Sequence, residues 1–222
     1  MEFGRKFINM QVKKQHRKKL LIATKNPGKL NEFKKFLSDL PLTIVSLNDI
    51  GIDENVLENG KTYQENSQKK ALFYAKKTDL PALSDDGGIE ISALGNKPGV
   101  HSKRWLGYEA TDQEIMKHLT KVAKELPDTN RKATFKTVVS LALPNGKVWS
   151  MQGEVEGIIA KEPKNKLIIG FPFRQFFYIP QIKKYYQDEE LTEEEQRQYN
   201  HRYKAAQKIK RIMNQELGIK GK

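Results

Sequence analysis

The sequence predicts a fold of the α/β or α+β class, built as two lobes around a cleft. Short apolar segments of strand length alternate with amphipathic helical segments along the chain. Neither a repeat nor a low-complexity linker interrupts them, and no shift in composition separates independent domains. The 222 residues are enough to bury a sizeable core. We therefore expect a single domain over residues 19–222, preceded by a disordered basic extension over residues 1–18.

The first predicted unit is a strand, a loop and a helix. Leu20–Ala23 is an apolar run of strand length, and the turn-forming sequence Asn26-Pro27-Gly28 follows it. Proline is favoured in the first turn of a helix, so the helix is expected to begin here. Its apolar stripe at helical spacing consists of Leu30, Phe33, Leu37 and Leu40.

Strand patterns and helix-start signals predict three strands and two helices in the middle of the chain. Leu42–Leu47 is a predicted second strand, and Thr62 with Glu65 forms a capping-box signature for a helix that ends near Lys77. The remaining predictions are the strands Pro81–Leu83 and Ile89–Leu94, joined by a turn at residues 84–88, and a helix that starts at the capping box Thr111–Glu114.

A long antiparallel hairpin and a closing helix are predicted for the last part of the chain. Pro144-Asn145-Gly146 can turn an alternating strand into a partner strand over Lys147–Ile159. A capping box at Thr192–Glu195 then starts a helical segment that extends to Leu217. The alternating strand positions are Ala133, Phe135, Thr137, Val139 and Leu141, and the helix face contains Tyr199, Tyr203, Ala206, Ile209 and Met213.

Charge and cysteine content limit the classes of function. The chain has 40 Lys and Arg against 27 Asp and Glu, a net charge of +13 that favours a polyanionic partner, either nucleic acid or a triphosphate. Surface lysines that only solvate the protein would give the same charge. The absence of cysteine excludes disulfides and suits a reducing compartment such as the cytoplasm. No apolar run approaches the ~20 residues of a membrane helix, so no membrane partner is expected.

A candidate phosphate site lies where the first strand ends. In Thr24–Lys29 the backbone N–H groups and the dipole of the following helix point toward any anion placed there, and Lys29 adds a positive charge. The spacing is not that of a Walker loop. An ordinary strand-to-helix turn with a solvated lysine is the alternative.

Neighbouring carboxylates form a candidate metal site. Asp85 and Asp86 are adjacent, and two acids at a strand-to-strand turn are costly to bring together without a cation. Side chains of extended neighbours point to opposite faces, so one acid can bind the metal while the other supports the turn. Glu58 is a candidate second ligand, because Mg²⁺ prefers carboxylate oxygens, with water and substrate phosphates completing its coordination. An acidic hairpin turn is the alternative.

Two further pairs of polar side chains are candidates for substrate binding. Asn66 and Lys70 are four residues apart on the predicted helix, so they share a face from which they could address phosphate oxygens. His201 and Arg202 offer donors to a base carbonyl, and Phe171 could stack on the base. Solvent exposure of the first pair and core packing of the phenylalanine are the alternatives.

Taken together, these segments resemble the inosine/xanthosine triphosphate pyrophosphatase family. The family's Thr-Gly-Asn-x-x-Lys loop is similar to Thr24–Lys29, and its Glu-x-Gly-x-Thr-Phe-x-x-Asn-Ala-x-x-Lys-Ala motif is similar to Glu58–Ala71. In the second motif Tyr63 replaces Phe and Ser67 replaces Ala. Four motifs occur in register, the others being Asp-Asp-Ser-Gly-Leu at Asp85–Ile89 and Pro-Gly-x-x-Ser-x-Arg at Pro98–Arg104.

The resemblance implies an elongated, inosine-triphosphatase-like mixed α/β fold with two lobes about a central cleft, usually in a homodimer. It implies cleavage of inosine and xanthosine triphosphates and their deoxy forms to the monophosphate and pyrophosphate. Asp86, Asp85 and Lys70 would then be catalytic, and Glu58 and Asp86 would hold Mg²⁺. The implied substrate-binding residues are Thr24, Asn26, Lys29, Asn66, Gly87, Arg104, Phe171, Phe173, Arg174, Gln196, Arg197, His201 and Arg202.

The last third departs from the family pattern where the base would be read. The family's Gly-Phe-Gly-Tyr-Asp-Pro loop keeps Phe171 but has Arg174 in place of its aspartate, which reverses a charge. A changed pocket can change the preferred base, so Arg174→Asp is expected to shift base preference if the loop contacts the base. The other departures are Gln196 for a lysine, with Arg197 adjacent, Asn200 for the serine of Ser-His-Arg, and Gly87 for the serine of Asp-Asp-Ser-Gly.

Three functions are compatible with these residues. The first is a Mg²⁺-dependent pyrophosphatase of deaminated purine triphosphates. The second is the same cleavage on a different damaged or modified nucleotide, as Arg174 and Gln196 suggest. The third is a nucleic-acid-binding derivative, suggested by the net charge of +13. Because Glu58 and the two aspartates would repel a phosphate backbone without a metal, a nucleic-acid partner is not expected.

Overall fold

Strands and helices alternate along the chain as the sequence predicts, in a computed structural model that describes residues 17–164, 167–187 and 190–219. Residues 1–16 of the predicted extension lie outside the described residues, whereas Lys18 already belongs to the first strand. The strands are β1 (Lys18–Ile22), β2 (Leu42–Ser46), β3 (Ala82–Ile91), β4 (Lys97–Pro98), β5 (Lys132–Ala142), β6 (Val148–Ile159), β7 (Phe177–Ile179) and β8 (Lys184–Tyr185). The α-helices are α1 (Pro27–Phe36), α2 (Tyr63–Thr78), α3 (Asp112–Glu125), α4 (Glu193–Tyr199) and α5 (His201–Glu216).

The strands of the described chain form one mixed sheet in the order β2-β1-β3-β5-β6-β7-β8, with β4 paired to β3. β1 runs parallel to β2 and β3, and the other pairs are antiparallel. β5 and β6 form a long hairpin, in which Lys132 lies opposite Ile158 and Ala142 lies opposite Val148. The mixed α/β fold and the predicted hairpin are therefore confirmed.

Helices cover both faces of the parallel part of the sheet. In β1, Leu20 and Ile22 pack with residues of α1 and α5, whereas Leu21 packs with α2, because side chains alternate along a strand. A further core forms around Ile89 and Leu119, where α3 covers the other end of β3 and β5. β3 and β5 thus pass through both lobes. The cleft lies between the two lobes.

The acidic pair lies inside a continuous strand, and not at the predicted turn between two strands. β3 pairs with β5 along its whole length, with Asp85 opposite Val139 and Asp86 opposite Val138. The sequence Asp-Asp-Gly-Gly favours a turn locally, but pairing along the whole of β3 overrides that preference. The two neighbouring carboxylates therefore project to opposite faces of the sheet.

The predicted closing helix is divided in two at Asn200, which separates α4 from α5. Asn200 has an extended backbone (φ −83°, ψ 110°), and its side chain caps α5 by accepting the N–H of Tyr203 at 3.0 Å. The division places His201 and Arg202 in the first turn of α5. That turn lies directly on β6, since a Cβ at Gly153 would be only 2.0 Å from the His201 carbonyl oxygen.

The predicted helix starts are confirmed at α2, α3 and α4. The capping boxes at Thr111 and Thr192 are complete. At α2 the Thr62 hydroxyl accepts the Glu65 N–H at 3.1 Å, but the Glu65 carboxylate accepts the N–H of Lys61, and not that of Thr62. Within the described ranges, no helix has both the length and the apolar character needed to cross a membrane.

Candidate active site

A cleft of about 800 Å³ between the lobes brings together residues from distant parts of the sequence. It is bounded by the loop before α1, the segment before α2, the acidic part of β3 and the start of α5. The predicted site residues in its lining are Thr24, Asn26, Lys29, Glu58, Lys70, Asp86, Gly87, Arg104, Phe171, Phe173, Arg174, His201 and Arg202. The predicted site residues that are not among the described lining residues are Asp85, Asn66, Gln196 and Arg197.

The loop before α1 presents the amino-terminal end of that helix to the cleft. The Asn26 side chain caps α1 by accepting the Lys29 N–H at 3.1 Å, and the Thr24 hydroxyl accepts the Asn26 N–H at 3.2 Å. The Lys29 ammonium lies 3.1 Å from an Asp85 carboxylate oxygen. A helix end with an adjacent lysine is suited to bind an anion, as the sequence predicts.

Asp86 is held in a fixed orientation at the floor of the cleft. The residue is 7% exposed, and its carboxylate accepts hydrogen bonds from the Asn66 amide at 3.0 Å and the Gly87 N–H at 2.9 Å. Burial raises the pKa of Asp86, and the charge of Glu58 raises it further, although Lys70 and Lys29 oppose the increase. A carboxylate in this environment gains strongly from a bound cation.

Glu58 and Lys70 form an ion pair beside Asp86. The Lys70 ammonium lies 3.0 Å from a Glu58 carboxylate oxygen, and the Arg104 guanidinium donates to the Glu58 backbone carbonyl at 2.7 Å. Burial alone would lower the pKa of Lys70, but the charges of Asp86, Glu58 and Asp85 outweigh it and raise the pKa. Lys70 therefore remains an ammonium group that can attract phosphate oxygens.

Asp85 is buried behind the cleft, on the side opposite Asp86. One of its oxygens contacts the Arg202 Nε at 2.9 Å and the Lys29 ammonium at 3.1 Å, and accepts the Thr137 hydroxyl at 3.3 Å. Burial would raise the pKa of Asp85, but the charges of Lys29 and Arg202 dominate and hold that pKa well below its usual range. Asp85 thus links the phosphate-binding loop to the start of α5.

Glu32 is a buried member of the site that the sequence did not predict. One carboxylate oxygen contacts the Arg174 guanidinium at 2.6 Å and accepts the Asn200 amide at 3.2 Å, and the other contacts the Arg202 guanidinium at 2.5 Å. Burial opposes ionisation, but the two arginines prevail and lower the pKa of Glu32. One sequence signal could have indicated that Glu32 is buried. It lies four residues before the apolar Phe36, and residues four apart share a face of a helix.

Arg174 is a fixed part of this cluster and not a free charge beside the base pocket. It is 1% exposed, and its guanidinium carbon lies 3.8 Å from the Phe171 ring centroid and 4.6 Å from that of Tyr186. The sequence-based expectation for Arg174→Asp needs a correction, because the new carboxylate would lie next to buried Glu32. Repulsion in that variant would first reduce stability and so obscure base preference.

His201 is fixed by aromatic neighbours. Its Nδ1 lies 2.7 Å from the Tyr186 hydroxyl, and its ring stacks on Phe135 with centroids 5.2 Å apart. Burial is the main cause that places the pKa of His201 well below 6.5, and the charges of Arg202 and Arg174 lower it further. His201 is therefore neutral in the folded protein at neutral pH.

The neutral state of His201 predicts a loss of stability in mild acid. As the pH falls below about 6.5, the unfolded chain binds a proton at this histidine and the folded chain does not, so the free energy of unfolding decreases. We expect urea midpoints to fall between about pH 7.5 and 5.5, and the decrease to be smaller in His201→Asn. The matched variant at the exposed His101, His101→Asn, should retain the full decrease. An equal pH dependence in all three proteins would contradict this explanation.

Three predicted substrate-binding residues lie away from the cleft lining. Asn66 is buried, and its amide oxygen accepts the Gly60 N–H at 2.7 Å while its nitrogen donates to Asp86. Gln196 is buried and accepts the Asn200 amide at 2.9 Å on the Glu32 side, and Arg197 is exposed. These three residues were predicted to contact the substrate, but the structure places them outside the cleft lining. Asn66 is instead positioned to orient Asp86.

Comparison with known proteins agrees with the resemblance predicted from the motifs. A family model described as the Ham1 family matches residues 20–212. A dITP/XTP pyrophosphatase of Thermus thermophilus is 41% identical over 187 residues, which cover 84% of this chain and 87% of that protein. One of Thermoanaerobacter pseudethanolicus is 37% identical, covering 90% of this chain and 98% of that protein.

Solved structures agree with the sequence comparison. The Staphylococcus aureus Ham1 protein superposes with a TM-score of 0.73 at 29% identity, covering 90% of this chain and 100% of that chain. A HAM1 protein from Coxiella burnetii gives a TM-score of 0.74 at 31% identity, covering 89% and 99% of the two chains. Because sequence and fold agree along most of its length, this chain belongs to the Ham1 family.

Proposed function

We propose that this protein hydrolyses noncanonical purine nucleoside triphosphates, such as ITP, XTP and dITP, to the monophosphate and pyrophosphate. The observation that carries the proposal is the joint placement of Lys29, Lys70, Asp86 and Glu58 on one cleft. Two ammonium groups and a helix end attract the triphosphate, and the carboxylates lie where a metal can bridge protein and substrate. The relatives named dITP/XTP pyrophosphatases support this choice of reaction.

We propose Mg²⁺ as the cofactor, held by Glu58 and Asp86. The donor set fits a hard cation, since both ligands are carboxylates and the raised pKa of Asp86 reflects burial and the nearby charge of Glu58. No cluster of three or more His, Cys, Asp or Glu side chains suited to a metal occurs within the described residues, so water and substrate phosphates would complete the coordination. When bound, Mg²⁺ would offset the charge that develops on the leaving pyrophosphate.

The protein groups have separate roles in this proposal. Lys29 and Lys70 hold the phosphates through their ammonium groups, and the α1 N–H groups bind the same chain of anions. Asp86 orients the attacking water, and Asn66 and the Gly87 N–H hold its carboxylate in position. We propose that Phe171, His201 and Arg202, which also line the cleft, contact the base.

A substrate panel tests the proposed reaction. Pyrophosphate release is measured for ITP, XTP, dITP and the common triphosphates, with Mg²⁺ and with a chelator. We expect release from the noncanonical purines that stops when the metal is removed. Preference for another damaged nucleotide would support the alternative suggested by Arg174 and Gln196, and no release from any triphosphate would exclude the enzymatic function.

A homodimer and a cytoplasmic location are further parts of the proposal. The dimer is supported by the resemblance to a family that is usually dimeric, and the location by the absence of cysteine. Light scattering of the purified chain tests the first, and a mass of one 25.6 kDa chain would exclude it. Fractionation of cells that express the chain tests the second.

Asp112 is predicted to set nucleotide affinity by holding the loop that carries Phe171. Its carboxylate accepts the Gly170 N–H at 2.6 Å, and the Asn26 amide donates to the Gly170 carbonyl at 3.0 Å from the other side. A hydrogen bond to a charged acceptor contributes about 1.5–3 kcal/mol. We expect Asp112→Ala to raise KM about tenfold with little change in kcat, and to increase amide exchange of residues 167–171.

Two control variants separate this contact from other effects at the start of α3. Asp112→Asn removes the charge near the helix end but keeps an acceptor, so it should recover most of the affinity. Lys103→Ala removes the neighbouring ammonium, 3.7 Å from Asp112, and should have little effect. If Asp112→Asn were as defective as Asp112→Ala, helix electrostatics would explain the result better than loop position.

A further inference from the structure

Lys25 lines the cleft together with Lys29 and Lys70, and it takes the place of glycine in the family's Thr-Gly-Asn-x-x-Lys loop. We infer that Lys25 is a specificity-determining residue that binds the outermost phosphate of a nucleoside triphosphate and so favours triphosphates over diphosphates. This inference rests on the proposed function and adds a requirement for the length of the phosphate chain. It assigns a role to an ammonium group that the proposed phosphate contacts of Lys29 and Lys70 leave unused.

Lys25 lies at the end of the cleft nearest to the first residues of β3. Its ammonium group contacts the Asp53 carboxylate at 2.8 Å and the Asp53 backbone carbonyl at 2.6 Å. The next residue, Glu54, accepts the Tyr74 hydroxyl at 2.7 Å through its backbone carbonyl. Tyr74 lines the cleft and belongs to the same core cluster as Ala82, the first residue of β3. Burial raises the pKa of Tyr74 and the charge of Lys25 opposes this increase, so the ammonium group lies near this hydroxyl.

The proposed base site lies on the other side of Asp86. The His201 ring stacks on Phe135 with centroids 5.2 Å apart, and Phe135 lies opposite Ile89 in the sheet. On β3, Asp86 lies between Ile89 and the end of the strand that is near Lys25. Because Asp86 is proposed to orient the attacking water, the bond that is cleaved lies beside it. A nucleotide whose base is near His201 therefore extends its outer phosphates toward Lys25.

Lys25 can exchange its present partner for a phosphate group. The side chain of Asp53 is fully exposed, whereas that of Asp85, the partner of Lys29, is 0% exposed. Exposed ion pairs contribute little to stability, because water and salt screen them. A terminal phosphate competes well with such a carboxylate, since it offers more acceptor oxygens and more than one negative charge. The segment that carries Asp53 is also held independently of Lys25, because Glu54 binds two side chains of α2.

A triphosphate and a diphosphate differ in the group that reaches Lys25. In both nucleotides the phosphate next to the ribose must lie beside Asp86 to be attacked, so only the triphosphate extends a further phosphate beyond Lys29 and Lys70. The net contribution of a hydrogen bond between charged groups corresponds to about tenfold in affinity or more. We therefore expect loss of the Lys25 ammonium to lower kcat/KM about tenfold for a triphosphate and less than about twofold for a diphosphate.

Four variants separate phosphate binding by Lys25 from its contact with Asp53. Lys25→Met removes the charge, Lys25→Arg keeps it, and Asp53→Asn removes the carboxylate that competes with phosphate. The matched control is Lys77→Met, because Lys77 is similarly exposed and pairs with Glu54 at 2.6 Å but is not among the described residues that line the cleft. Each protein is assayed for kcat/KM with ITP and IDP in the presence of Mg²⁺. The Kd of each nucleotide is measured with a chelator, so that this readout does not require cleavage.

The expected result is a preference for the triphosphate that depends on the ammonium group of Lys25. Lys25→Met should reduce the ratio of ITP to IDP about tenfold in both assays, and Lys25→Arg should retain it. Asp53→Asn should retain or increase the ratio, because the ammonium loses its competing partner, and Lys77→Met should leave it unchanged.

Three results would overturn the inference. They are an unchanged ratio in Lys25→Met, an equal decrease in Lys77→Met, and an equal decrease in Asp53→Asn, which would show that the ion pair only holds the segment in place. If neither nucleotide were cleaved, the proposed function would fail, but the ratio of the two Kd values would still decide the role of Lys25.

Discussion

Asp86→Asn is expected to reduce pyrophosphate release from ITP by ~10³-fold or more while the fold persists. The substitution keeps the size of the side chain and one oxygen that can accept the Gly87 N–H, but it removes a carboxylate proposed to hold Mg²⁺. Because the pKa of Asp86 is raised in the folded protein, ionising this carboxyl costs more free energy there than in the unfolded chain. The thermal midpoint should therefore stay constant or increase while activity is lost.

The matched control for Asp86→Asn lies on the same strand. Glu90→Gln makes the same chemical change in β3, where Glu90 pairs with Lys136 at 2.6 Å. Because Glu90 is not among the described residues that line the cleft, we expect near-normal turnover. Activity is measured as pyrophosphate release at saturating Mg²⁺. Turnover in Asp86→Asn within about tenfold of wild type would remove Asp86 from its proposed role.

Local patterns predicted the elements of the fold and the candidate residues on them. Apolar periodicity identified β1, α1 and the long hairpin, and capping signatures identified the starts of α2, α3 and α4. The motifs placed Lys29, Glu58, Lys70 and Asp86 in the site, and the structure brings all four to one cleft. These predictions depend on signals contained within a few consecutive residues.

Features that depend on distant partners were not predicted. Asp-Asp-Gly-Gly favours a turn, but pairing with β5 keeps it in a strand. The chain breaks at Asn200 between α4 and α5, although the sequence pattern predicts one continuous helical segment there. Glu32 looks like an ordinary polar residue of an amphipathic helix, because its partner Arg174 is 142 positions away. Secondary-structure propensity and residue spacing carry no information about such long-range contacts.

The buried ion cluster predicts that Glu32 has a large effect on stability. Glu32→Ala would leave Arg174 and Arg202 buried without the carboxylate that both contact. Removing one partner of a buried ion pair typically costs about 3–5 kcal/mol, because the remaining charge is poorly solvated. We expect the free energy of unfolding to fall by about that amount, with a decrease in Tm of about 6–20 °C.

A comparison of paired variants shows whether this loss comes from unpaired buried charge. Asp39→Ala removes a carboxylate that lies 2.7 Å from the Lys210 ammonium, a distance similar to those in the buried cluster. Because Asp39 is largely exposed, the free energy of unfolding should fall by at most about 1 kcal/mol.

In a double-mutant cycle, Arg174→Met should reduce the free energy of unfolding less in the Glu32→Leu background than in wild type, because Glu32→Leu already leaves Arg174 without that carboxylate. Urea unfolding measures all four corners of the cycle. Strictly additive losses would show that Glu32 stabilises by filling space, whereas coupling of ~1 kcal/mol or more would show that it stabilises by neutralising Arg174.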